Sequence, residues 1–165
     1  MHDMVMAYFD GEKNAGLLLI AVGVIGLAAA VLFFQPRWGL RTLAVTLGIL
    51  ALAEIALGAG LYLRTDPQVE GLMAQLASTP ARFTSEEAAR MARVQRNFVV
   101  IEYVELAVIV VSALIAVTQK HRPGLAGVAL GLLINGAFLL AFDLVAERRG
   151  AEYVSVIRGR GPASP

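Results

Sequence analysis

The chain has 165 residues, 58% of them hydrophobic, and a mean hydropathy of +0.68, well above a soluble domain, where about 45–50% apolar usage is typical. Fourteen basic and thirteen acidic residues nearly cancel. The basic ones are scattered, so no nucleic-acid footprint is present. With no cysteine, disulfides, thiol redox chemistry and Cys-ligated metals are excluded.

Residues 1–14 read as an interfacial segment, with Tyr8 and Phe9 where aromatic rings settle between water and lipid. Asp3, Asp10 and Glu12 outnumber Lys13 there. A secretory leader needs a basic flank instead, so the apolar run that follows is read as a retained span. That first span covers residues 15–34 and has no charge. Residues 35–39 form a tight turn with Trp38 as a second interfacial anchor. A second span at about 40–63 contains one acid, Glu54.

Residues 64–97 are the only sizeable polar connection. Asp66-Pro67 has the form of a helix start, a capping side chain followed by proline. Val69, Leu72, Met73 and Leu76 then recur at helical spacing, which predicts a separate amphipathic helix over 67–77. Ser78-Thr79-Pro80 should break it, and Thr84-x-x-Glu87 has the pattern of a capping box. From there to Thr118 no breaker occurs, so one helix of roughly 50 Å is expected at 1.5 Å per residue. Its first third projects into water and 98–118 forms the third span. A turn at 119–124 leads to a fourth span at about 125–146, which leaves the membrane at Glu147-Arg148-Arg149.

The fold class is therefore all-α: a four-transmembrane-helix bundle with a helical polar segment, 64–97, between spans 2 and 3. It is a single integral membrane domain over 1–158, with a disordered tail at 159–165. Four spans place both termini and the polar segment on one side, together with ten of the fourteen Lys and Arg. The positive-inside rule then favours cytoplasmic termini, with a bacterial inner membrane as the expected location.

Counting depth from the termini side puts Glu54, Glu105 and Asn135 near mid-membrane, with Glu102 and Asp143 about one turn shallower and Glu12 near that shallow level at the entrance of span 1. A charge at mid-bilayer costs about 2.5–3.5 kcal/mol on insertion scales, so these groups should face protein or water. Helical spacing sets Glu102, Glu105, Ile109, Ser112 and Ala116 on one face of span 3, and Ala51, Glu54 and Gly58 on one face of span 2. Gly124, Gly127, Gly131 and Asn135 make a small-residue stripe on span 4, suited to close helix packing.

Glu54, Glu105, Asn135, Glu102 and Asp143 are the candidate ion- or substrate-binding residues. Glu102 can also pair with Arg148 or Arg96 from another helix or subunit. Arg90, Arg93, Arg96, Arg148 and Arg149 are the candidate interfacial or partner-binding set, most simply a solvated or headgroup-binding face.

Dinuclear carboxylate centres in bundles use Glu-x-x-His pairs, but His2 and His121 lie outside the spans, so no transition-metal site is expected. An all-oxygen site for a hard cation is left open. Nucleophilic chemistry lacks cysteine and a placed histidine, Ser112 has no evident base, and no phosphate-binding glycine loop occurs. No cofactor or catalytic residue is assigned.

Three functional readings follow. The first is a channel or carrier component in which the buried acids bind a cation or proton. The second is a non-catalytic accessory or assembly subunit whose acids hold helices together. The third is an enzyme acting on a lipid-soluble substrate. The expected partners are the lipid bilayer and either a second copy of the chain or another subunit of a membrane complex.

Overall fold

Two prolines decide where the helices stop. Thr79, ahead of Pro80, has φ −144° and ψ 71°, and Arg122, ahead of Pro123, has φ −112° and ψ 86°. A residue before proline is pushed out of the helical region by the ring, while proline itself is tolerated in the first turn. In this computed structural model, which describes residues 1–35 and 40–159, the result is four helices and, among the described residues, no strand. They are α1 (His2–Phe33), α2 (Arg41–Ser78), α3 (Pro80–Thr118) and α4 (Pro123–Ile157). All four are long and apolar enough to cross a membrane, with mean hydropathies of 2.0 to 2.7 over their best stretches. The expected turn at Trp38 and most of the expected tail fall outside the described residues. Gly159, at φ +69°, closes α4 in the left-handed conformation that glycine adopts freely.

The polar segment differs from expectation at both of its helix starts. Span 2 and the amphipathic stretch after Pro67 are one helix of 38 residues. Pro67 sits inside it, and Asp66 does not cap. Both Asp66 carboxylate oxygens instead accept from Lys13 Nζ at 2.8 Å. An interior proline costs about 3 kcal/mol. Here the helix continues because Val69, Leu72, Met73 and Leu76 pack on a core beyond the break. Nor does Thr84 start α3. It lies one turn inside, its hydroxyl donating to the Pro80 carbonyl at 3.0 Å, and Glu87 turns inward.

That core is built by all four helices at the end where α1 begins and α4 stops. Val5 and Phe9 from α1, Phe83 and Met91 from α3, and Tyr153 and Ile157 from α4 are almost fully buried, with the α2 residues around them. At 39 residues, α3 is about 58 Å long, roughly twice a hydrocarbon core. The two central helices therefore extend well beyond any span, and their extensions fold as a helical cap with its own apolar interior.

Below the cap the helices pair. α1 packs chiefly on α2 and α3 on α4, and α2 against α4 joins the two pairs. The α1 and α3 backbones scarcely approach each other, and these helices meet through side chains in the cap. The first pair is set by glycine: a Cβ on Gly58 would lie 2.5 Å from the Gly16 carbonyl oxygen, and one on Gly16 would lie 2.8 Å from that of Gly58. The second junction uses the α4 stripe, with Gly127 and Gly131 against Thr42, Leu43 and Thr46 of α2. Apolar side chains on the outer faces stay uncovered, Val31 at 74%, Ile25 at 68% and Val117 at 73% exposure, as lipid-facing residues would be.

Candidate functional site

The stripe on α4 ends at Asn135, whose Nδ2 donates to Glu54 Oε1 at 2.6 Å. Glu54 is buried on the same α2 face as Ala51 and Gly58. Glycines allow the two helices to approach, and the amide then reaches the carboxyl. This bond lies between α2 and α4.

A second group of acids occupies a different place. On α3, Glu105 and Ser112 are buried and Glu102, Ile109 and Ala116 half-buried, so the face read from spacing points inward. Because α1 and α3 do not pack closely below the cap, Glu105 on this face meets a cavity of about 720 Å³ walled by all four helices, and the other four residues of the face lie outside its lining. Glu105 and Asp143 line it together, with Phe98, Ile101, Leu57, Leu61, Leu19 and Phe142 among the apolar walls. Towards the cap it is lined by Tyr8, Glu12, Arg64 and Arg149. The wall is mostly apolar, with ionisable groups at two levels.

The two levels differ in how they are satisfied. At the cap end, Arg64 Nη2 donates to Glu12 Oε1 at 2.8 Å, and Arg149 Nη1 donates to the Gly11 carbonyl. Deeper, the Glu105 carboxyl faces that of Asp143. Two carboxylates are both acceptors, and Glu105 Oε2 is buried with no hydrogen-bond partner. A buried acceptor without a donor costs about 1–3 kcal/mol, more when charged. Glu102 lies apart from the cavity lining, against Glu147, and its Oε1 is likewise buried and unbonded.

The arginines separate as well. Arg93, Arg96 and Arg148 are exposed, whereas Arg149 is half-buried at the cavity mouth. Arg90 turns into the cap. Its Nε and Nη2 each donate to a Glu87 oxygen at 2.7 Å, and its guanidinium lies 5.7 Å from the Phe9 ring centre. Tyr153 donates to Glu87 Oε1 at 3.0 Å and stacks on Tyr8 with centroids 4.3 Å apart. Burial, with Glu12 adding to it, pushes the Tyr8 hydroxyl up to about 12. Burial and the neighbouring Glu87 raise Tyr153 too. Glu87, Tyr153, Glu12 and Arg64 were not among the residues chosen from sequence. Glu87 carried a capping-box signature instead, and only the depth count for Glu12 pointed towards this cavity.

Among the described residues, no group of three or more His, Cys, Asp or Glu is disposed to hold a metal ion. Compared with known proteins, the chain matches no family model, no curated sequence and no solved structure.

Proposed function

We propose that this chain is an integral membrane protein acting as a channel or carrier component, in which Glu105 and Asp143 take up a cation or a proton within the four-helix cavity. The observation that supports this most is Glu105 Oε2, buried at the cavity wall, facing a second carboxyl and without a donor. Two acids in contact need positive charge between them, either a proton or a bound cation. Glu12, Arg64 and Arg149 form the vestibule, and the helical cap is the surface that gates it or docks partners. The ten basic residues on the cap side support cytoplasmic termini.

The test is a vesicle assay. The reconstituted chain should move protons or monovalent cations down an imposed potential, and Glu105→Gln and Asp143→Asn should each remove that flux. Glu54→Gln should leave it in place. Equal flux in all four proteins, or none above empty vesicles, would contradict the proposal.

A second reading, an accessory subunit or homo-oligomer, is favoured by α3, which buries only 6% of its most apolar stretch within the chain. A second copy or another membrane helix fits that face, and crosslinking in membranes separates this case from a monomer surrounded by lipid.

A further inference from the structure

We infer that the ligand of this cavity is an amphiphilic organic cation, a protonated amine or quaternary ammonium on an apolar body, held with its charge between Glu105 and Asp143. The inference rests on the cation-binding reading of the same site and goes further by naming the ligand class. Volume is the first argument. About 720 Å³ lies within the usual range of about 300–1,000 Å³ for small-molecule sites, far more than a proton relay or a bare ion needs.

The wall is the second argument. Leu19, Leu57, Leu61, Phe98, Ile101 and Phe142 offer hydrocarbon and two aromatic rings to the body of a ligand, while a small hydrated ion gains nothing from them. Coordination is the third. Hard metal cations take about six to eight oxygen ligands, and two facing carboxyls fall short of that, with no larger ligand group among the described residues. A quaternary head needs only opposite charge beside it, and a protonated amine can in addition donate to Glu105 Oε2, a buried acceptor without a donor.

An anionic amphiphile would have to use Arg64 or Arg149. Arg64 is already held by Glu12 and Arg149 by the Gly11 carbonyl. Arg149 Nε and Glu12 Oε2 are both unbonded at that level, a donor and an acceptor of opposite sign that offset each other. Three acids and two arginines line the cavity, and both of those arginines belong to its cap end. The side where α1 and α3 do not pack gives a membrane-dissolved ligand a route to it.

Two probes of one shape and opposite sign test this: tetraphenylphosphonium and tetraphenylborate, titrated against the full chain in nanodiscs with empty nanodiscs subtracted. The phosphonium should bind saturably at one site per chain and the borate should not compete. Glu105→Gln should weaken phosphonium binding at least tenfold, and Glu105→Asp should retain most of it. Gly60→Leu is the second variant: Gly60 lines the cavity and a Cβ there meets nothing within 4 Å, so the side chain fills ligand space without displacing the fold. It should also weaken binding at least tenfold.

Phosphonium binding that is absent, unchanged in Glu105→Gln and Gly60→Leu, or matched by the borate would overturn the inference. If proton or monovalent cation flux still depended on Glu105 in that case, the cation-binding reading would stand and only the ligand class would fall.

Discussion

Asn135 Nδ2 donates to Glu54 Oε1 at 2.6 Å, while Glu105 Oε2, at the same counted depth, has no donor. Two buried acids that look equivalent by position therefore do different work. Glu54 ties α4 to α2, and Glu105 lines the cavity beside Asp143. Substituting Glu54→Leu should cost about 1–3 kcal/mol by leaving the Asn135 amide unpaired. Glu54→Gln keeps a carbonyl acceptor and should stay close to wild type. Thermal unfolding in detergent would distinguish the two, and equal losses would mean that the bond does not hold the helices.

The glycines of α2 make a similar contrast. A Cβ on Gly58 would meet the Gly16 carbonyl at 2.5 Å and Leu19 Cβ at 2.9 Å. Backbone on one side cannot give way, so Gly58→Ala should destabilise by about 1–3 kcal/mol. Gly60, two residues on, faces nothing within 4 Å, and Gly60→Ala should stabilise the helix by about 0.5–1 kcal/mol. Opposite shifts in unfolding temperature are expected, and shifts of one sign would contradict the α1–α2 packing described.

In the cap, Glu87 is 2% exposed and accepts from Arg90 and Tyr153. Removing it with Glu87→Ala should cost about 2–3 kcal/mol, less than a fully buried pair because the Arg90 side chain keeps 29% exposure to water. Tyr153→Phe loses one hydrogen bond and should cost about 1 kcal/mol. Denaturant unfolding of the two variants checks the order. A Glu87→Ala loss below that of Tyr153→Phe would mean that the ion pair contributes nothing.

Alkali should loosen the same region. Tyr8 is raised to about 12 in the folded chain, above the value of about 10 for an unfolded tyrosine. A group raised on folding contributes stability that is fully present below the unfolded value and is lost as pH rises through the folded one. Unfolding temperature should therefore hold up to about pH 10 and fall between about 10 and 12. The double variant Tyr8→Phe, Tyr153→Phe should fall less steeply. An unchanged slope would show that these hydroxyls do not titrate with unfolding.

The span-length apolar runs, the inward faces of α2 and α3 and the α4 stripe could all be read from residue spacing, because burial in a bundle follows the helical period. Depth counting brought Glu54 and Asn135 to one level for the same reason. What could not be read were features in which tertiary packing overrides a local signal. Asp66-Pro67 resembles a helix start, yet Lys13 from α1 takes the carboxylate and the core beyond Pro67 keeps α2 continuous. Thr84-x-x-Glu87 resembles a cap, yet Tyr153, 66 residues away in sequence, draws the acid inward. The division of the acids between a helix tie and a cavity depended on which helices fail to meet, and no local pattern records that α1 and α3 stay apart.

A cation site at Glu105 and Asp143 requires a cavity whose deep end is negative. The chain has no cysteine, and Ala56 lines the cavity two helical turns from Arg64 towards the deep end, so Ala56→Cys would place a single thiol there. Reaction rates with a trimethylammonium and a sulfonate methanethiosulfonate reagent, each divided by its rate with a free small thiol, read the local sign directly. The cationic reagent should be favoured by at least tenfold, and adding Glu105→Gln should remove most of that preference. Equal normalised rates, or a preference for the anionic reagent, would contradict the account.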